Sequence, residues 1–182
     1  TGMWKLMIAD DEPKIRRGLR AQIEHMGLDI EIAAEAEDGE RALERAGSVD
    51  PDILLVDINM PFLNGLDFIE RLKKAQSGAR IIVITGFEEF EYARRAVELG
   101  VSAYLLKPVE LSALRAALDG AIQQMLEERE REKHFAWALA RLEKRRESLW
   151  EEFLSELIQG GMTREEILDQ RRLLEFPALR RP

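Results

Sequence analysis

Two four-residue blocks, Ile53-Leu54-Leu55-Val56 and Ile81-Ile82-Val83-Ile84, contain no polar residue. A strand with one wet face alternates apolar and polar side chains, whereas a strand covered on both faces does not. Both blocks therefore predict strands of a parallel sheet enclosed by helices. Three more blocks, Trp4–Ala9, Ile30–Ala36 and Ala103–Leu106, read as its other strands. Between the blocks, apolar residues recur at helical spacing. Ile15, Leu19 and Ile23 share one face; Ala42, Leu43 and Ala46 follow Gly39; Leu66, Ile69 and Leu72 follow Gly65. Tyr92, Ala93, Ala96 and Leu99 precede Gly100, a helix stop. Strand and helix alternate five times in about 120 residues. That order predicts an α/β fold, a doubly wound five-stranded parallel sheet.

The 182 residues exceed what such a sheet needs. Thirty-five acids against 27 bases give a net charge of −8, which excludes a generally basic nucleic-acid-binding surface. With no cysteine there is no disulfide framework, thiolate metal site or cysteine nucleophile. His25 and His134 are too far apart in sequence to suggest a zinc site. No apolar run approaches the length of a membrane span, and the expected location is cytoplasmic. Residues 1–125 hold 22 acids and 15 bases, while residues 126–182 hold 13 and 12 and are mostly Glu, Arg, Leu and Ala. The composition shift predicts an α/β domain over 3–125, an extended helix over 126–159, and a helical region begun and truncated over 160–182.

Parallel sheets place their sites at the carboxyl ends of the strands. Asp10, Asp11 and Glu12 follow the first strand, Asp57 follows the third, Thr85 ends the fourth and Lys107 ends the fifth. Two like charges 4 Å apart cost about 4 kcal/mol at an effective dielectric near 20, so a cluster of carboxylates calls for a cation. A hard, oxygen-seeking divalent ion such as Mg²⁺ suits it and keeps positions for a phosphate oxygen. With Lys107 and Thr85 beside it, the pocket has the chemistry to stabilise a phosphoryl group that Asp57 takes as an acyl phosphate. Taken singly, each piece also has a plainer reading. Acids before Pro13 suit a helix N-terminus, Asp57 suits a turn before Pro61, and Thr85 suits a strand end.

Taken together, Asp10-Asp11, Asp57 with Pro61 and Gly65, Thr85 and Lys107-Pro108 resemble the receiver domain of bacterial two-component response regulators, a flavodoxin-like fold. The likeness covers about residues 4–125. The stretch Gly86-Phe87-Glu88-Glu89-Phe90-Glu91-Tyr92-Ala93, with Gly100-Val101 and Tyr104–Pro108, resembles the sub-type joined to an AraC-type DNA-binding domain. The resemblance implies that Asp57 is the phosphoacceptor and that Mg²⁺ (or Mn²⁺) is held by Asp57, Asp11, Asp10 through water, and the Asn59 backbone carbonyl. It implies that Thr85 and Lys107 hold phosphoryl oxygens, that Tyr104 and Thr85 form a switch, and that Lys107-Pro108 is cis. It implies that Asn59 and Phe87 tune dephosphorylation. A histidine kinase is the expected phosphodonor, and the resemblance implies a switch and not an enzyme with an external substrate. Two rivals remain: a flavodoxin-like cofactor-binding protein, and an unphosphorylated receiver used only for dimerisation. Asp10-Asp11-Glu12 would repel a cofactor phosphate after the first strand.

From Leu111 a seven-residue repeat runs through Asp119-Gly120. Ten of its fourteen a and d positions are apolar, including Phe135, Leu139, Leu142, Leu149 and Phe153. Glu128, Glu132 and Arg146 interrupt it. A helix from near Glu110 to about Gln159 is expected, either merely solvated or paired in parallel as a homodimeric coiled coil. Gly160-Gly161 stops it, and the capping box Thr163-Arg164-Glu165-Glu166 opens another helix bearing Ile167, Leu168, Leu173 and Leu174 up to Phe176-Pro177. DNA contact is expected only through a domain absent from this chain, and none with a membrane.

Overall fold

The computed structural model describes residues 3–75, 77–86 and 90–160, with Thr163, Glu165 and Asp169 beyond them. Phe87 and most of the Thr163–Pro177 helix expected from the sequence lie outside the described residues.

Five strands, β1 (Trp4–Ala9), β2 (Ile30–Ala36), β3 (Ile53–Asp57), β4 (Arg80–Thr85) and β5 (Ala103–Leu106), alternate with α1 (Pro13–His25), α2 (Gly39–Val49), α3 (Gly65–Lys74), α4 (Phe90–Glu98) and α5 (Leu111–Ile158). The strands pair in parallel in the order β2-β1-β3-β4-β5. The path steps one way from β1 to β2, then crosses back over β1 to β3. Right-handed crossovers then put α1 on one face of the sheet and the next helices on the other. Side chains alternate accordingly. Met7, Ala9, Leu54, Val56, Ile81 and Val83 pack with Ala42, Ala46, Phe68, Ile69 and Ala96 of α2, α3 and α4. Leu6, Ile8, Ile53, Leu55, Ile82 and Ile84 pack with Leu19 and Ile23 of α1 and Leu114, Leu118 and Ala121 of α5. Every residue of β3 is buried, as its unbroken apolar run requires.

The helix starts are chemically marked. Pro13 opens α1. The Asp38 carboxylate accepts the Arg41 backbone N–H at 2.8 Å and caps α2. The Asn64 side chain accepts the Asp67 N–H at 2.9 Å and caps α3.

The chain divides after Met125 into two compact units. The first ends within the 48-residue α5, which runs through Gly120 and on to Ile158 without a break. Phe135 and Leu142 are 67% and 66% exposed, Leu149 is exposed and Leu139 partly so. Phe153 departs from the expected coil seam. It is buried within its own chain, with the Trp150 ring edge-on at 5.6 Å, and needs no second helix to shelter it. Among the described residues no helix is long and apolar enough to cross a membrane.

Candidate functional site

Among the described residues the buried polar or charged side chains are Asp10, Asp38, Asp57 and Thr85. Asp38 is accounted for as a helix cap. The other three end β1, β3 and β4 at one edge of the sheet, where the strand order reverses. Burying a carboxylate is costly unless a partner compensates it. Lys107, just past β5, is that partner. Its Nζ lies 2.8 Å from Asp10 Oδ2, 3.0 Å from Asp57 Oδ2 and 3.5 Å from Glu12 Oε1. The Lys107 backbone N–H donates to the Thr85 carbonyl at 2.7 Å, so the ammonium and the hydroxyl arrive on adjoining strand ends. The Lys107-Pro108 bond is cis.

Burial pushes the Asp10 carboxyl above the ordinary aspartate value, against the pull of Lys107 and of the Glu12 backbone N–H. Burial works against the Lys107 ammonium, but the Asp10 and Asp57 carboxylates outweigh it and raise its pKa above the usual lysine value. The lysine is therefore charged at neutral pH.

Two backbone approaches shape the acid edge. A Cβ on Gly65 would stand 2.1 Å from the Asp57 carbonyl oxygen, and one on Gly39 would stand 1.9 Å from that of Leu63. Glycine alone lets α3 begin against the end of β3 and α2 begin against the loop between them. The Gly65 N–H donates to the Ile58 carbonyl at 2.8 Å and draws that loop closed. Within it Phe62 is 84% exposed and adopts φ 64°, a left-handed conformation costly for a bulky residue. Asn59 is exposed on the same loop.

Asp10, Asp57, Thr85 and Lys107 are thus brought together, with Asp11 exposed at the rim. Tyr104 is partly buried, packs against the α2–α4 core and lies opposite Val83 in the sheet. Two residues outside the expected site set also take part: Glu12 beside Lys107, and Arg16, whose Nη1 donates to the Asp10 carbonyl at 2.7 Å. Glu12 stood within the acidic run. The contact of Arg16 has no sequence signature.

A divalent cation fits these residues. Asp10, Asp11 and Glu12 each bring a carboxylate oxygen within 4.8 Å of the others. Asp57 Oδ1 is buried with no hydrogen-bond partner in the protein. One ammonium faces more carboxylates than it neutralises, and the donors are all hard oxygens.

The sequence matches the family profile described as "Response regulator receiver domain" over residues 6–119. The chain belongs to the response regulator receiver family. The chain is 32% identical over 158 residues to the uncharacterized transcriptional regulatory protein YesN of Bacillus subtilis (strain 168), covering 87% of this chain and 43% of that protein. It is 37% identical over 116 residues to the nitrate/nitrite response regulator protein NarL of Escherichia coli (strain K12), covering 64% and 53%. The chain spans about half the length of these relatives. Among solved structures, the REC domain of AraT, a response regulator from Geobacillus stearothermophilus, matches at 41% identity and TM-score 0.63, over 69% of this chain and 98% of that one. The relatives named here act in transcriptional and response regulation, as the receiver resemblance implies. The AraC-type sub-type is a finer reading than their names carry.

Proposed function

We propose that this receiver takes a phosphoryl group on Asp57 from a histidine kinase and passes the signal on as a change of conformation and association. The observation that carries this reading is the Lys107 ammonium lying within 3.0 Å of both buried carboxylates, Asp10 and Asp57. That pairing engages Asp57 Oδ2 and leaves the buried Asp57 Oδ1 without a hydrogen-bond partner, which supports Asp57 as the acceptor.

In the proposed reaction an Asp57 carboxylate oxygen attacks the donor phosphorus. The bond from phosphorus to the donor atom breaks, its electron pair leaves with the donor, and the donor takes up a proton. An acyl phosphate remains on Asp57. Asp10, Asp11, Asp57 and the Asn59 backbone carbonyl would hold Mg²⁺ or Mn²⁺, which when bound supplies charge to offset the carboxylates and the phosphoryl oxygens. Lys107 releases its pairing with the Asp57 carboxylate and pairs with a phosphoryl oxygen. Thr85 donates its hydroxyl to another, and Tyr104 moves in behind it. Asn59 and Phe87 set how readily water reaches the phosphorus. In this proposal the chain is a phosphoacceptor switch that catalyses its own phosphotransfer and dephosphorylation, not an enzyme with an external substrate.

The proposed output is transcriptional, through AraC-type DNA binding, with two copies joined through α5. The exposed Phe135, Leu142 and Leu149 support pairing, since each large side chain left in water forgoes roughly 1.5–3 kcal/mol of burial. The primary test is intact mass after incubation with Mg²⁺ and a small acyl phosphate. One added phosphoryl group, abolished by a chelator, is expected. Labelling that ignores the chelator would overturn the metal-assisted reading.

A further inference from the structure

Asp10 is held from four directions. Its N–H donates to the Ala36 carbonyl of β2 at 3.1 Å, and its Oδ1 accepts the Glu12 N–H at 2.8 Å. Its Oδ2 faces Lys107 at 2.8 Å. The fourth hold comes from outside the pocket, where Arg16 Nη1 donates to the Asp10 carbonyl at 2.7 Å. That carbonyl belongs to the planar peptide joining Asp10 to Asp11, so fixing it fixes the plane and directs the start of Asp11. Asp11 is exposed, and its carboxylate depends on this backbone for its place.

Arg16 is itself held. Its side chain is only 15% exposed, and Nε donates to Glu35 Oε2 at 3.3 Å. Glu35, on β2, also accepts from Arg20 Nε at 2.8 Å and Nη2 at 2.5 Å. The two arginines lie one helical turn apart on α1 and share Glu35. Only Arg16 is bonded to the acid loop. A planar guanidinium serves two acceptors at once in fixed geometry, which an ammonium does not.

We infer that Arg16, oriented by Glu35, is a positioning residue that sets the Asp10–Asp11 peptide for divalent-cation binding. The inference rests on the metal-assisted reading above. It extends that site to a residue on α1 that touches neither the cation nor the phosphoryl group. Loss of an outer hold of this kind typically weakens metal binding 10- to 100-fold.

The comparison of Arg16→Met with Arg20→Met isolates the effect, because both remove an ion pair to Glu35 and only the first frees the Asp10 carbonyl. Calorimetric titration of the 182-residue chain with Mg²⁺ alone is expected to show about tenfold weaker binding in Arg16→Met and less than twofold change in Arg20→Met. Labelling of Arg16→Met by a small acyl phosphate should recover its rate as Mg²⁺ is raised, which a loss of folding would not permit. Arg16→Lys, able to serve one acceptor, should fall between parent and Arg16→Met and covers the case in which Met at position 16 unfolds the chain. Equal Mg²⁺ affinity in parent and Arg16 variants, or equal weakening in the Arg16 and Arg20 variants, overturns the inference alone. A parent that binds no Mg²⁺ overturns both the inference and the metal-assisted reading.

Discussion

Gly65 begins α3 so close to Asp57 that a methyl group on its Cα would sit 2.1 Å from the Asp57 carbonyl oxygen. The obstacle is backbone of the central strand, which has no rotamer with which to yield. Gly65→Ala is therefore expected to lower stability by about 1–3 kcal/mol, the usual range for overpacking, and to displace Asp57. Denaturant unfolding measures the first effect and the rate of labelling by a small acyl phosphate the second. Parent-like values for both would show that α3 shifts freely against β3.

Lys107 is the cation that the Asp10 and Asp57 carboxylates share. Breaking a buried pair by removing one partner typically costs 3–5 kcal/mol, because an uncompensated charge stays behind. Lys107→Ala should lose about that much without Mg²⁺ and recover part of it when Mg²⁺ is added. Mg²⁺ binding should persist while phosphotransfer or the switch is lost. Unfolding curves with and without Mg²⁺ check the stability, and normal labelling kinetics would remove the assigned role.

The strands, their order of burial and the four pocket residues were legible because they obey local rules. Ile53–Val56 has to be buried on both faces, and Asp10, Asp57, Thr85 and Lys107 each sit where a strand ends. Arg16 and Glu35 were not legible. An arginine on a helix and a glutamate on a strand read as solvated surface until the fold places them 3.3 Å apart. The closeness of Gly39 to Leu63 was hidden likewise, since nothing local in either residue reports a contact 24 positions away. Phe153 misled for a related reason. A heptad pattern records which face is apolar, not what covers it, and this ring is covered within its own chain.

Glu35 gives the fold a calculable response to acid. Burial disfavours its charged form, but Arg20 and Arg16 together outweigh burial and hold its pKa below the ordinary 4.5. An acid whose pKa is depressed on folding contributes stability that is present above its unfolded value and lost as pH falls through its folded value. The contribution is full above about pH 4.5 and fades below it. With Glu35 and Arg20 side chains 27% and 39% exposed, about 0.5–1 kcal/mol is expected after solvent screening. Glu35→Gln should lower stability by that amount at pH 7 and flatten the loss between parent and variant at low pH. A constant difference across that window would contradict the assignment.

The exposed apolar face of α5 predicts self-association. Sedimentation of the 182-residue chain should show a dimer at high micromolar concentration, and the double change Leu139→Asp with Leu142→Asp should return it to monomer. Phe153→Asp should act differently, by lowering stability through loss of the packing that buries Phe153 beside the Trp150 ring. A monomeric parent, or an unchanged dimer in the double variant, would exclude α5 as the interface.

The central claim is that Asp57 is the phosphoryl acceptor, and one comparison tests it most directly. Parent and Asp57→Asn are incubated side by side with Mg²⁺ and a small acyl phosphate, and their intact masses are measured. The parent is predicted to gain one phosphoryl group and Asp57→Asn none, with the variant folded because Lys107 keeps Asp10 as a partner 2.8 Å away. Labelling of Asp57→Asn to the extent of the parent would contradict the account.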